Sequence, residues 1–355
     1  GAGSPAEINI QKRDLANMKV ANLNDTPVIL VADIDKGGVF ASLVGTMELL
    51  GEDRRLVEGI IINKFRGDKD SLQSGLEFIE NKTGVPVLGV MPYLKEINLP
   101  EEDSVTVKEY LKDQPEIKIG IINLPHLSNF TDFDVLGLEP AVELTYLEYG
   151  QEISKDYDVL IIPGTKNTTE DLRYLKEKGL AKKIINAARE GTEVIGICGG
   201  YQMLGKELID PDLTEGSRKA IRGLSLLDIK TIFSSGKDTY QIEAELTEES
   251  DKFKELNNNK IKGYEIHMGK TVLGDKAAPL FKIIKRSNKE CLIKDGAYAT
   301  DLDVWGTYIH GIFDNDTFRK NFINYLLNKK GKEAKQDYLN FQEKREKALD
   351  KLAKT

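Results

Sequence analysis

The front of the chain alternates short apolar runs with amphipathic stretches. Val28 to Ala32, just after Pro27, is a continuous apolar run of the kind a strand buried on both faces requires. Val39 to Leu50 carries apolar residues at helical spacing, and Val57 to Asn63 predicts the next strand. Ser71 to Lys82 predicts a second helix and Pro86 to Val90 a third strand. Strand and helix in strict alternation predict a parallel α/β sheet over residues 1–95. Between Lys95 and Glu116 the chain turns polar and acidic, punctuated by Pro100 and Pro115, so 96–116 reads as a linker. A second α/β unit is expected over 117–330. Its strands are Ile117 to Ile122, Val159 to Ile162 ending in Pro163-Gly164, Glu193 to Ile197 running into Cys198, and Val304 to Ile309 running into His310. Leu224 to Leu246 and Ile261 to Thr271 look antiparallel. Residues 331–355 read as a charged helical tail. There is no internal repeat and no low-complexity segment.

Composition narrows the classes. The chain has 355 residues, 40% of them hydrophobic, which suits two ordinary cores. The 50 basic residues are outnumbered by 58 acidic ones, for a formal net charge of −8. That argues against a general nucleic-acid or anionic-membrane partner, because both need a basic surface. No apolar run reaches the 18 or so residues of a membrane span, and no charged-then-apolar leader opens the chain. Only Cys198 and Cys291 are present, too few for a disulfide framework or a cysteine-rich zinc site. A cytoplasmic location is expected. The chain opens on Gly1 and in mid-motif, which reads as part of a longer protein.

The chemistry concentrates at Cys198. Val194-Ile195-Gly196-Ile197-Cys198-Gly199-Gly200 has the form Gly-x-Cys-x-Gly, between a predicted strand and the helix opening at Tyr201. A nucleophile elbow needs that context, because the strained turn leaves no room for side chains beside the nucleophile. The helix N-terminus favours the thiolate. The Gly199 N–H is placed to hold an oxyanion, with Gly164 as the expected second donor. Of His126, His267 and His310, the last sits at a strand end, where catalytic groups collect in α/β domains, and is the expected base. His126 and His267 read as structural or substrate-contacting. Cys291 has no elbow and reads as core.

These residues meet a known pattern. Gly-Ile-Cys-Gly-Gly-Tyr-Gln-Met-Leu-Gly at 196–205, Pro-Gly-Thr-Lys-Asn-Thr at 163–168 and Tyr-Ile-His-Gly-Ile-Phe at 308–313 resemble the cobalamin-pathway branch of class I glutamine amidotransferases. Gly1 to Asn9, Val31 to Phe40 and Ile62 to Asp68 sharpen the resemblance to the cobyric acid synthase family, over residues 1 to about 330. The resemblance implies amidation of carboxylates b, d, e and g of (adenosyl)cobyrinic acid a,c-diamide, a corrinoid, with one glutamine and one ATP with Mg2+ per amide. It implies a C-terminal glutaminase acting through a glutamyl thioester. It also implies an N-terminal dethiobiotin-synthetase-like domain that activates the carboxylate as an acyl phosphate. Cys198 becomes the nucleophile and His310 its base. Two departures stand out. Full-triad amidotransferases carry Glu two residues after the histidine, and here that residue is Ile312. A Cys–His dyad is therefore expected, with Asp314 the only substitute acid in view. Nor does any Gly-rich phosphate loop ending in Lys and Ser or Thr occur, so the ATP site is expected to be incomplete and ATP affinity of this chain alone to be low.

Weaker assignments follow from the same resemblance. Asn63 and Pro92 fall where the dethiobiotin-synthetase-like fold holds adenine, and an amide suits an adenine edge. Asp33 and Asp35 are the favoured magnesium ligands among the nearby acids, which include Glu7. Asp14 is a candidate corrinoid contact. Met268-Gly269-Lys270-Thr271 imitates the end of a phosphate loop but fails on spacing, since Tyr264 stands where the first Gly is required. Gly1 to Ala6 has a dinucleotide-like glycine pattern without a preceding strand. The alternatives are the sibling a,c-diamide synthase, the glutaminase of a cell-wall amidating pair, a stand-alone cysteine hydrolase and a non-catalytic binding module.

Overall fold

In the computed structural model, which describes residues 3–9, 15–94, 109–151, 153, 156–216, 218–248, 253 and 260–355, the apolar runs of the front segment become one small parallel sheet. Its strands β1 (Val28–Asp33), β2 (Val57–Phe65) and β3 (Val87–Pro92) lie in the order β1-β2-β3. The helices are α1 (Asn17–Asn24), α2 (Val39–Leu49) and α3 (Gln73–Thr83). The second expected helix starts two residues late because Asp68 caps a 3-10 turn, Lys69–Leu72, ahead of it. It stops at Gly84, whose positive φ of 73° lets its N–H turn back to Glu80 O. Ile60 and Ile62 of β2 are fully buried with Leu43, Met47 and Ile79 from the helices.

The chain divides into two compact units, Gly1–Ser104 with Lys344–Thr355, and Val105–Glu343. Residues 95–108, most of the expected linker, lie outside the described residues. Tyr110 belongs to the second unit: it forms an antiparallel bridge with Leu144.

The second unit is built around a seven-stranded sheet. In chain order its elements begin β4 (Ile117–Ile122), α4 (Asp134–Leu138), β5 (Val142–Leu147), β6 (Val159–Ile162), α5 (Thr168–Glu177), α6 (Leu180–Arg189), β7 (Glu193–Ile197) and α7 (Gly199–Leu204). Then come β8 (Glu207–Ile209), β9 (Ala220–Arg222), β10 (Ile229–Leu246), β11 (Ile261–Leu273), β12 (Ala277–Ala278), β13 (Phe281–Arg286), β14 (Lys289–Asp295), β15 (Ala297–Ala299) and β16 (Val304–Thr307). Helix α8 (Asp316–Lys329) follows, and α9 (Phe341–Ala353) crosses the division at Glu343. The sheet order is β12-β15-β16-β7-β6-β4-β5, with β16 through β5 all parallel. Every residue of β6, β7 and β16 is buried, as strands covered on both faces require. The expected antiparallel region forms a second sheet in which β10 pairs with β11 and β13.

Candidate active site

The carboxyl ends of β4, β6, β7 and β16 lie side by side, and in open α/β sheets that edge is where ligands bind. Each strand delivers one piece of the site. Strand β7 runs into Cys198, whose φ of 52° and ψ of −109° make the sharp turn into α7. The ladder continues through the turn, with Cys198 N–H donating to Thr307 O at 2.8 Å, and Cys198 O accepts from Gln202 N–H at 3.1 Å. Gly200 allows this packing. A Cβ there would lie 1.9 Å from Ile162 O. Gly200→Ala should therefore cost about 3 kcal/mol or more, because backbone cannot yield as a side chain can. Circular dichroism melts should show a fall in Tm of roughly 6–12 °C. An unchanged Tm would show that the close approach of Gly200 to Ile162 O does not constrain the elbow.

Strand β16 delivers His310, which is 1% exposed. Its Nδ1 meets Asp132 Oδ2 at 2.6 Å, and the other Asp132 oxygen accepts from Gly311 N–H at 3.1 Å. Asp132 is 6% exposed. The expectation of a dyad is thereby corrected: the histidine is held by a carboxylate, and that carboxylate is neither at position 312 nor Asp314. Ile312 is buried, and Asp314 sits in the 3-10 turn Ile312–Asp314. With Nδ1 committed to Asp132, Nε2 is the ring atom left for the thiol. Burial pulls the His310 pKa down, but the charges of Asp132 and Cys198 and their hydrogen bonds outweigh it and raise the value to about 10. At neutral pH His310 is therefore held as the imidazolium. The Cys198 Sγ also lies 3.6 Å from Ile266 O of β11. Nε2 has no other hydrogen-bond partner among the described residues.

Strands β4 and β6 deliver the rest. The loop after β4 pairs with the turn after β6: Leu127 bridges Thr165, Ser128 N–H donates to Gly164 O, and Lys166 N–H donates to His126 O. Beyond this pairing Asn129, at φ 53°, opens a 3-10 turn, Phe130–Phe133, that points Asp132 at His310. Buried Asp171 of α5 holds both loops, accepting from Thr165 Oγ1 at 2.5 Å and from His126 N–H at 3.3 Å, with His126 Nδ1 2.7 Å away. So His126 is part of this brace and is not beside Cys198. His267 is stacked on Tyr308 at 3.7 Å, its Nε2 3.6 Å from buried Glu265. Cys291 is partly buried on β14. A Cβ on Gly164 would fall 3.2 Å from His310 Cε1 and 3.7 Å from Cys198 Cβ, and one on Gly199 would fall 2.7 Å from Thr165 Cγ2. Both glycines expected to supply oxyanion donors thus border Cys198 and His310.

In the first unit, register places Asp33 opposite Asn63 and Phe65 opposite Pro92, so Asn63 and Pro92 share one end of the sheet. Asn63 Oδ1 accepts from Lys64 N–H at 2.9 Å. Asp33 is ion-paired with Lys64 at 2.8 Å and Asp35 with Arg66 at 2.5 Å. The Lys64 ammonium holds the Asp33 carboxyl below its ordinary pKa. Among the described residues no cluster of three or more His, Cys, Asp or Glu side chains could hold a metal, and the two carboxylates expected to bind magnesium already have cationic partners. As arranged, they do not fit that ion. Glu7 is exposed, Asp14 lies outside the described residues, and Lys270 is part of strand β11, not of a phosphate loop.

Comparison with known proteins identifies the chain's relatives. Residues 118–318 match the CobB/CobQ-like glutamine amidotransferase domain, and residues 3–101 match an AAA domain model. A cobyric acid synthase of Desulforamulus reducens is 51% identical over 334 residues, covering 93% of this chain and 65% of that protein. One from Moorella thermoacetica is 48% identical over 357 residues, covering 99% of this chain and 69% of that protein. A third, from Caldanaerobacter subterraneus, is 48% identical and 70% covered. The chain thus spans about two-thirds of the length of the curated relatives it matches. On this identity and coverage, the chain belongs to the cobyric acid synthase family.

Proposed function

We propose that the second unit hydrolyses glutamine and that the longer protein consumes the ammonia in amidating a corrinoid, as a cobyric acid synthase. The observation that carries the first half is Cys198 at a strained strand-to-helix turn, facing a buried histidine clamped by Asp132. The Cys198 thiolate attacks the carboxamide carbon of glutamine. The oxyanion that forms is held by the N–H groups of Gly199 and Gly164. His310 gives its Nε2 proton to the departing nitrogen, which leaves as ammonia, and a γ-glutamyl thioester remains. His310, now neutral, takes a proton from water, and the hydroxide oxygen displaces sulfur to give glutamate. One glutamine and one water yield one glutamate and one ammonia.

The amidating half rests on family membership. ATP and magnesium would activate carboxylates b, d, e and g of cobyrinic acid a,c-diamide, with Asn63 and Pro92 bordering the nucleotide. Asp33 and Asp35 are not assigned to the metal. The test uses full-length protein with cobyrinic acid a,c-diamide, ATP, magnesium and amide-15N glutamine. Mass spectrometry should show four new amides, each carrying 15N. Label in amides a and c, formed from cobyrinic acid itself, would instead identify the sibling diamide synthase. Glutamate release with no labelled corrinoid would leave only the glutaminase half standing.

A further inference from the structure

The reaction leaves one segment of β11 without a task, Gly263-Tyr264-Glu265-Ile266-His267-Met268-Gly269. Its Tyr264 ring lies over the His310 imidazole, with centroids 5.1 Å apart and planes within 14°. The two residues also exchange both backbone hydrogen bonds, His310 N–H to Tyr264 O at 2.8 Å and Tyr264 N–H to His310 O at 3.2 Å. Gly263 permits that approach, since a Cβ there would sit 2.4 Å from His310 O. Tyr264 Oη accepts from Asn129 Nδ2 at 2.7 Å. Asn129 is the residue that opens the turn carrying Asp132, and its O accepts from Asp132 N–H at 3.0 Å. The contacts close a ring: Asp132 to His310, His310 to Tyr264, Tyr264 to Asn129, Asn129 back to Asp132.

We infer that Tyr264 is a positioning residue for the His310 imidazole, with Asn129 as its tether. The inference rests on the glutaminase reading of the site. A single Nδ1 bond to Asp132 fixes one edge of the imidazole but leaves the ring free to rock about that bond. A parallel aromatic face removes the rocking, so Nε2 stays aimed at the substrate nitrogen. The same face favours the imidazolium through its negative quadrupole. It also shields the His310–Asp132 pair from water, where their attraction would be screened.

The test compares Tyr264→Ala, Tyr264→Leu, Tyr264→Phe and Asn129→Gly. Glutamine kinetics are read beside the pH profile of iodoacetamide alkylation at Cys198, which follows the Cys198–His310 pair without glutamine. Tyr264→Ala should lower kcat by about 10- to 100-fold, the scale of a small misplacement, with KM changed by less than about threefold. It should also displace the alkylation profile. Tyr264→Leu, which keeps bulk but not the flat face, should behave the same way and carries the comparison if the alanine variant does not fold. Tyr264→Phe keeps the face and should retain the wild-type profile, with a loss of kcat no greater than about fivefold. Asn129→Gly, which removes the amide but keeps the left-handed turn, should match it, and the double variant should be no worse than either, because both cut one bond. A wild-type profile and kcat in Tyr264→Leu would overturn the inference, as would an effect on KM alone. If wild-type protein is alkylated with this profile yet releases no ammonia from glutamine, the glutaminase reading fails while the Tyr264 comparison still stands.

Discussion

Asp132→Asn should lower kcat for glutamine hydrolysis by about 10²- to 10⁴-fold, the range seen when a triad histidine loses its orienting carboxylate, with little change in KM. The asparagine is nearly the same size, so the 3-10 turn should survive. What changes is the partner of His310 Nδ1. An amide that presents its NH2 group selects the wrong tautomer, and a neutral group no longer supports the imidazolium. The pH dependence follows by sign. In the wild type His310 is raised to about 10, so its proton stabilises the folded state fully below the ordinary value of about 6.5, and that stabilisation is lost as pH rises through 10. Asp132→Asn removes the largest of the raising influences while burial, which lowers the value, remains. The decline in Tm between about pH 6.5 and 10 should therefore flatten in the variant. Asp314→Asn is the control and should hydrolyse glutamine at close to the wild-type rate. Activity in Asp132→Asn within threefold of wild type, or equal damage from Asp314→Asn, would remove Asp132 from the machinery.

Cys198→Ala should abolish glutamine hydrolysis, by roughly 10⁴-fold or more, as removal of a covalent nucleophile does. Alanine keeps a Cβ in the same left-handed turn, so the backbone at φ 52° meets no new demand and the loss reports the sulfur. A glutamine-mimicking electrophile should label Cys198 and leave Cys291 untouched, read by mass spectrometry of the digested protein. Cys291 lies on β14 with its Sγ 3.8 Å from Ile283 O. In full-length protein, Cys198→Ala should still amidate with supplied ammonium salt, because the variant removes the source of ammonia and not its use. Labelling at Cys291 alone would refute the assignment. So would loss of ammonia-dependent amidation in a variant that remains folded.

The contrast between Cys198 and Asp132 shows what the sequence could reveal. Cys198 was legible because its chemistry is local: strand, nucleophile, two glycines and helix are consecutive. His310 was legible because it ends the apolar strand Val304 to Ile309 and is followed by Gly311. The longer apolar strands were legible and moved only at their ends, as did helix α3, delayed by the Asp68 cap, whereas β5, β8, β9 and β12 to β15 were not read from the sequence. Asp132 was not legible, because nothing beside it in the chain says where it points. It is aimed by Leu127 pairing with Thr165, by Asp171 bracing both loops and by the left-handed Asn129. Searching for the orienting acid near His310 in sequence led to Asp314, although the carboxyl edge of a parallel sheet gathers groups from distant strands. A search of the loop after β4 for acids would have raised Asp132 and Asp134 together, with no local reason to prefer the first. The ion pairs of Asp33 and Asp35 were hidden for the same reason, since Lys64 and Arg66 reach them from the neighbouring strand.

The separation of 178 positions between Asp132 and His310 also sets a schedule for synthesis. A ribosome adds roughly 5–20 residues per second, so Asp132 emerges on the order of ten to forty seconds before its partner exists. During that interval the strands Ile117–Ile122, Val142–Leu147, Val159–Ile162 and Glu193–Ile197 are all available to pair. The carboxylate they would enclose has no cation to meet. Burying it alone is unfavourable, so the nascent sheet is expected to keep the loop after Ile122 open to solvent until the last strand arrives. Chains arrested before residue 310 should then be cleaved readily by protease between Leu124 and Asp134, and released full-length chains should resist.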